Sequence, residues 1–202
     1  MYQPAHFSED DPARLCALIE AYPFGTLIAV DDAGGLEIAH LPFVLDAQAG
    51  TLCTHVAQGN PLAALAAAGR AMTAVFHGPH GYVSPRFYTD PGRMVPTWNY
   101  AVVHAHGRTL VLGPAGLRHL VDALTARHEA GAGEPWRLAD ADPSLPDKLL
   151  RGVVGIVLEV ERLEGKFKLN QNRTPADRAA VARALADRGS PDDLAMVALM
   201  EK

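Results

Sequence analysis

Polar and aromatic side chains that could hold a flat ligand are concentrated in residues 76–106. This stretch otherwise has the composition of β-strands, and a strand that only fills a core favours Val, Ile and Leu. Aromatic rings with polar tips are instead typical of a surface that faces a partly polar ligand. We therefore predict that this stretch forms one wall of a cofactor pocket. The side chains predicted to form the wall are Tyr82, Ser84, Thr97, Trp98, Asn99 and Tyr100.

A second run, residues 166–173, is rich in the residue types that bind an anion. Side chains alternate along a strand, so Lys166, Lys168 and Asn170 would point to the same side. The run ends where Thr174 begins a helix, and the free backbone N–H groups of a helix start favour negative charge. Arg173 adds a forked hydrogen-bond donor. A polar strand end that faces solvent is an equally good interpretation of these residues.

Other kinds of site lack their usual sequence patterns. His104 and His106 would lie on one strand face, but residues 107–113 contain no third metal ligand, so we predict hydrogen-bonding or pocket-lining histidines and no metal. Ser84 does not lie on a GxSxG elbow, and the phosphate motifs GxGxxG and GxxxxGK[ST] are absent. We therefore predict no catalytic residue of the hydrolase type and no Rossmann or P-loop nucleotide site.

Charge and composition limit which partners the chain could bind. The 202 residues carry a formal net charge of −5, which argues against a nucleic-acid surface along the whole chain. Between Arg162 and Arg188 seven basic residues outnumber three acidic ones, and we interpret them as a solvated helix face in preference to a DNA-binding surface. The sequence has no 18-residue apolar run and no signal-peptide pattern, so we predict a cytoplasmic protein.

Turn residues and hydrophobic periods divide the chain into short strands and amphipathic helices. We predict a first helix that is capped by Ser8, and later helices capped by Asn60, Thr174 and Ser190. A turn at Gly107 is predicted to separate two strands. The predicted strands are residues 25–30, 36–45, 51–56, 71–76, 81–84, 98–106, 109–112 and 152–161, the last continuing through 166–170.

The order of these elements predicts the fold class. Seven or eight strands at hairpin spacing, with helices inserted at intervals, are typical of a mainly β, α+β fold in which an antiparallel barrel has peripheral helices. Alternating βαβ units do not match this order. We predict a barrel domain over residues 1–170 and a helical extension over residues 171–202 that packs on the barrel.

Several motifs together resemble the PaiB-type FMN-binding negative transcriptional regulator family. They are residues 1–7, 22–26, 40–43, 55–61, 95–100 and 168–173, of which VPTWNY and KLNQNR are the most specific. The resemblance covers nearly the whole chain. It implies a flavin-reductase-like split β-barrel, a homodimer, and an FMN site at the dimer interface.

The resemblance also implies roles for individual residues. The phosphate of FMN would lie near the third strand and the following helix, at His55, Gln58 and Asn60, and His40 would help to hold this polar end. Many relatives have a basic residue at the position of Gln58. The ring would lie against Tyr82, Trp98 and Tyr100, with Ser84, Thr97 and Asn99 beside them. Lys168, Asn170, Gln171 and Arg173 would close the site.

Three functions are compatible with such a site. The resemblance implies a regulator that represses degradative-enzyme and sporulation genes, or a flavin-linked sensor, although no helix-turn-helix supports direct DNA binding. One alternative is an FMN-dependent oxidoreductase, in which the cofactor carries the electrons. The other is a haem-binding barrel that uses one of the pocket histidines.

Overall fold

The computed structural model describes residues 1–131, 133–143 and 145–201, and these residues form eight strands, six α-helices and four short 3₁₀ helices. The strands are β1 (Ser8–Glu9), β2 (Phe24–Val30), β3 (Leu36–Pro42), β4 (Val44–Asp46), β5 (Thr51–Ala57), β6 (Ala71–Val83), β7 (Thr97–Val111) and β8 (Val153–Lys168). The helices are α1 (Pro12–Ala21), α2 (Pro61–Ala67), α3 (Pro114–Glu129), α4 (Leu145–Leu150), α5 (Pro175–Arg188) and α6 (Pro191–Met200). None of these described helices is long and apolar enough to cross a membrane.

The strands form one antiparallel sheet. Its hydrogen-bonded order is β3-β2-β6-β7-β8-β5-β4, and β1 pairs with β8 off this path. The path among the described residues ends at β3 and β4 and does not close into a ring. The predicted fold class, an antiparallel and mainly β architecture of the split-barrel type with peripheral helices, is confirmed.

The chain forms two compact units, each built from separate segments. The first unit comprises Met1–Leu18, His77–Val103 and the described part of Glu164–Lys202; the second unit comprises Ile19–Phe76 and His104–Leu163. The strands β6, β7 and β8 contribute residues to both units. The domain boundary that the sequence predicts at residue 170 stays a prediction.

Each unit has its own buried apolar side chains. In the second unit Leu27, Leu52 and Ile156 come from three different strands and are completely buried. In the first unit Val83 on β6 and Leu185 on α5 are completely buried, and a Leu185 methyl carbon would lie 3.8 Å from a Cβ atom built on Gly81 of β6. Burial of this kind contributes about 1.5–3 kcal/mol for each large aliphatic side chain.

The predicted turn at Gly107 is wrong, because β7 runs through that residue without a break. A Cβ atom built on Gly107 would lie 1.8 Å from the backbone oxygen of Glu159 in β8. Glycine is therefore needed here for the close approach of two strands rather than for a turn.

Two further boundaries differ from the sequence prediction. Ser8 does not cap the first helix but pairs with Lys166 in the sheet, and the Asp11 carboxylate accepts a hydrogen bond from the backbone N–H of Ala13 at the helix start. The two strands predicted for residues 71–84 are one strand, β6, in which Gly78 leaves room for the side chain of Leu18. The caps of α2, α5 and α6 are confirmed.

Candidate functional site

An exposed group of aromatic rings lies on β6 and β7 in the first unit, and we call His80, Tyr82 and Trp98 the Trp98 patch. The Trp98 side chain is 53% exposed and Tyr82 is 37% exposed. The Tyr82 and Trp98 ring centroids are 6.0 Å apart in an edge-to-face arrangement, and the His80 ring lies 6.2 Å from the indole. Exposed clusters of large aromatic rings mark binding surfaces more often than isolated rings do.

Lys168, at the end of β8, places a positive charge beside this patch. Its ammonium group donates hydrogen bonds to Thr97 Oγ1, at 2.5 Å, and to the backbone oxygen of Trp98. Burial lowers the pKa of Lys168, and the nearby charges of Lys166 and Arg173 lower it further. A partly desolvated cation fixed at the backbone of an exposed indole would attract an anionic or electron-rich ligand.

Three amide side chains of the predicted site have structural partners. Asn99 is completely buried and donates to the sulfur of Met200 at 3.9 Å. Asn170 is buried, adopts a left-handed backbone with φ of 62°, and accepts a 3.5 Å hydrogen bond from the Tyr88 hydroxyl. Gln171 bonds the backbone just before the turn, accepting from the N–H of Leu169 at 2.7 Å and donating to the oxygen of Phe167. Asn170 and Gln171 thus shape the turn after β8, whereas Asn99 lies on β7.

The other predicted residues of the first unit lie on β7, directly after β6, and between β8 and α5. Tyr100 is half-buried, with the Lys166 ammonium 5.6 Å from its ring centroid. Ser84 accepts a 3.2 Å hydrogen bond from a backbone N–H and caps a one-turn helix. The Arg173 guanidinium lies 5.7 Å from the ring centroid of Tyr88.

The predicted phosphate residues lie in the second unit. His40 is exposed, and its Nδ1 is hydrogen-bonded to Thr26 Oγ1 at 3.0 Å. His55, on β5, is half-buried, and burial lowers its pKa. Its buried Nδ1 has no hydrogen-bond partner within the described parts of the chain.

Gln58 and Asn60 line a cavity of about 840 Å³ that lies wholly within the second unit, and we call it the second-unit cavity. The Asn60 side chain also caps α2 by accepting a 2.9 Å hydrogen bond from the N–H of Leu62. His40 and His55 are not among the described residues that line it. Two arginines that sequence reasoning missed, Arg118 and Arg151, do line it.

His104 and His106 lie on β7 in the second unit with ring centroids 6.0 Å apart. His106 is half-buried, and its Nδ1 is hydrogen-bonded to Thr73 Oγ1 at 2.9 Å. Burial lowers the pKa of His106, and the charge of Arg162 lowers it further. This contact agrees with a hydrogen-bonding role for His106, and the roles of both histidines stay predictions.

A partly buried ion pair anchors the strand that carries Tyr82. Arg188 donates to the backbone oxygen of Tyr82 at 3.0 Å and to the Asp193 carboxylate at 2.7 Å. Asp193 is 1% exposed, and its hydrogen bonds from Arg188 hold its pKa at about 2. This pair connects the start of α6 to the Trp98 patch.

The ion pair predicts a pH-dependent loss of stability in Asp193→Asn. We expect the free energy of unfolding at pH 7 to fall by about 1–2 kcal/mol. Arg188 is partly exposed, so water screens its charge and reduces the contribution of this charged hydrogen bond. The folded-state pKa of about 2 lies below the ordinary 3.8, so the contribution is complete above about pH 4 and is lost as the pH falls towards 2. Urea unfolding followed by circular dichroism at several pH values measures both effects.

The control is Asp187→Asn, which changes an exposed carboxylate at the end of the neighbouring helix α5. Its effect should stay within about 0.5 kcal/mol at all pH values. A stability difference for Asp193→Asn that did not shrink in acid would contradict the assigned role of the carboxylate charge.

Comparisons with known proteins agree with the predicted resemblance. A family model described as "Putative FMN-binding domain" matches residues 1–162. "Protease synthase and sporulation protein PAI 2" of Bacillus subtilis is 29% identical over 204 residues, which cover 100% of this chain and 97% of the relative. An uncharacterized protein of Emericella nidulans is 30% identical, covering 94% of this chain and 92% of its own length.

A solved structure has a similar fold. It is the FAD and haem binding protein from Mycobacterium smegmatis, with a TM-score of 0.65 and 21% sequence identity. The matched region covers 86% of this chain and 80% of that chain. At this identity the likeness shows the fold alone.

Proposed function

This chain belongs to the family of FMN-binding domains, and from that membership we propose that it binds FMN and acts as a flavin-linked regulator or sensor. The observation that carries the proposal is the Trp98 patch with Lys168 beside it. An exposed indole offers a flat face for an aromatic ring, and the ammonium group supplies the positive charge that an electron-rich ring favours.

The residues present fit a flavin ring better than they fit a catalytic site. Trp98 and Tyr82 would contact the ring, and Tyr100 and Thr97 would support it from β7. When bound, FMN supplies one- or two-electron redox chemistry. The chain itself would position the ring and hold the Lys168 ammonium near it, which stabilises negative charge on the reduced cofactor.

The remaining predicted residues would bind the polar end of FMN or hold the backbone around the site in place. His40, His55, Gln58 and Asn60 would hold the polar end of FMN. Ser84, Asn99, Asn170, Gln171 and Arg173 would keep the surrounding backbone in place, which their hydrogen bonds and ring contacts in the first unit support.

Regulation is the preferred biological role. The Bacillus subtilis relative is named for protease synthesis and sporulation, and that protein is similar to this chain over its full length. We propose that this chain is likewise a cytoplasmic, homodimeric regulator, negative in sense and acting directly on DNA or through a partner. An FMN-dependent oxidoreductase and a haem-binding protein are the alternatives.

The absorbance spectrum of the purified protein, before and after incubation with FMN, tests the proposal. Bound flavin gives bands near ~370 and ~450 nm, whereas haem gives an intense Soret band, because the protein itself does not absorb there. The expected result is flavin bands that stay with the protein through gel filtration. Protein that retains no flavin after incubation and desalting contradicts the proposed function.

Two further measurements separate the alternatives. NAD(P)H oxidation by the FMN-loaded protein would favour the oxidoreductase over the sensor. For DNA binding, we expect the gel-shift affinity to fall steeply with salt if the protein contacts phosphates directly, and no binding at low salt would favour action through a partner.

The fixed position of Lys168 predicts that Lys168→Met weakens FMN binding about tenfold, the effect of losing one charged contact. The reduction potential of bound FMN should also fall, because the reduced ring loses its nearby positive charge. Fluorescence titration and a redox titration measure these effects. Lys148→Met, which removes an exposed lysine of the second unit, is the control. Unchanged affinity and potential in Lys168→Met would remove this lysine from the site.

A further inference from the structure

We propose that the second-unit cavity binds the anionic group, phosphate or carboxylate, of a small organic molecule, and that Arg118 and Arg151 hold this group. Neither arginine belongs to any motif of the sequence analysis. The cavity brings them together from α3 and from the residue after α4.

The size and the walls of the cavity suit an organic ligand. Its volume of about 840 Å³ lies within the range of about 300–1,000 Å³ that is common for small-molecule sites. Ala63, Leu117 and Val153 are among the apolar side chains that line it, together with the polar side chains of Gln58 and Asn60. Apolar walls with a few polar groups would bury an organic body and orient its charged end.

The charge of the lining is entirely positive. Arg118 and Arg151 line the cavity, and no Asp or Glu is among the described residues that do. Guanidinium groups bind phosphate and carboxylate oxygens in a forked geometry. The amide of Gln58 offers further donors at the same cavity.

The start of α3 adds to this positive field. Pro114 lines the cavity, and Gly113, the N-cap of this 16-residue helix, has no side chain to accept from the first backbone N–H groups. The partial positive charge of a helix start favours an anion. The proposal depends on the two arginines, and the helix start also favours the binding of an anion.

Two sources could supply the anion. One is the phosphate of FMN, in which case the inference rests on the proposed function and assigns Arg118 and Arg151 to the polar end of that site. The other is a separate phosphorylated or carboxylated molecule that binds independently of flavin. Both need the same arginines, so one set of variants tests the shared chemistry and distinguishes the sources.

The experiment uses the full chain and three probes. Phenyl phosphate combines an anionic group with an apolar body, FMN carries a phosphate, and riboflavin is the same flavin without it. Calorimetric titration measures phenyl phosphate, and fluorescence titration measures the two flavins. We expect Arg118→Ala and Arg151→Ala each to weaken phenyl phosphate binding about tenfold. The lysine variants at these positions should lose less affinity, because they keep the positive charge.

The matched control is Arg108→Ala, which removes an exposed arginine of the same unit that does not line the cavity and lies 3.8 Å from Glu161. Thermal unfolding shows whether each variant is folded. If the arginine variants bind both FMN and phenyl phosphate more weakly but bind riboflavin unchanged, the anion is the FMN phosphate. If only phenyl phosphate binding becomes weaker, the anion belongs to a separate molecule.

The proposal is overturned if folded Arg118→Ala and Arg151→Ala bind both phenyl phosphate and FMN as the unaltered protein does, or if the unaltered protein binds neither. A chain that binds phenyl phosphate through these arginines but binds no flavin would contradict the proposed function and leave this inference standing. The two failures are therefore distinguishable.

Discussion

Trp98→Ala is expected to weaken FMN binding by about 1–3 kcal/mol, or roughly 5- to 150-fold in Kd. The reason is that the indole is 53% exposed, so it contributes little to the packing of the first unit and its flat face is open to a ring. Truncation would remove the stacking surface together with its edge-to-face contact with Tyr82. Quenching of FMN fluorescence during titration with the apoprotein measures the change in Kd.

The control for this variant is Trp136→Ala. Trp136 is the second tryptophan of the chain, is 45% exposed, lies in the second unit and is not one of the predicted site residues. Trp98→Phe keeps a flat ring and should recover most of the affinity. If Trp98→Ala, still folded by circular dichroism, bound FMN as tightly as Trp136→Ala, the Trp98 patch would not be the ring site.

Gly107→Ala is expected to lower the free energy of unfolding by about 3 kcal/mol or more, the cost of a severe steric conflict in a packed interior. The added methyl group would meet the backbone oxygen of Glu159 at 1.8 Å, and a backbone atom cannot rotate away as a flexible side chain can. The strands β7 and β8 would have to separate locally. Urea unfolding followed by circular dichroism measures the loss.

Gly92→Ala is the matched control for that substitution. Gly92 is exposed, and the nearest atom to its added methyl group is a carboxylate oxygen of Asp90 at 3.6 Å, an ordinary contact. Its effect should be within about 0.5 kcal/mol. A stable Gly107→Ala protein with unchanged unfolding would show that β7 and β8 do not approach each other as closely as the structure has them.

Local sequence features predicted most helix starts correctly. The hydroxyl or amide oxygen of Asn60, Thr174 and Ser190 accepts from a backbone N–H two or three residues further on, so the cap needs nothing beyond its own neighbours. The exception is Ser8, which has the composition of a cap but pairs with Lys166 in the sheet. A partner 158 residues away cannot be identified from a local pattern.

The same reason explains the errors at glycines. The sequence predicts a turn at Gly107 and a gap between two strands around Gly78, yet both glycines lie inside long strands. Each is needed because another element approaches its Cα: the Leu18 side chain at Gly78 and the Glu159 backbone at Gly107. Close approach and turn formation use the same residue type, and only the positions of the neighbours distinguish them.

The residues of the candidate site likewise fall into those that the sequence could single out and those whose contacts only the structure shows. Composition singled out Trp98, Tyr82 and Lys168, because aromatic and cationic residues in strands are unusual for packing alone. The structure then showed that Lys168 bonds Thr97, 71 residues earlier, and that Asn99 and Asn170 are buried. The arginines of the second-unit cavity have no sequence signal, since α3 and the end of α4 reach the cavity from separate parts of the chain.

By itself, the sequence determined the family, the antiparallel fold class, the caps of α2, α5 and α6, and the aromatic character of the candidate site. These properties depend on residue types, on periodicity, and on contacts within a few residues along the chain. The tertiary structure decided which strands continue through glycines, which amides are buried, and which charged groups share a cavity. Those properties depend on distances between segments far apart in the chain, and such distances exist only after folding.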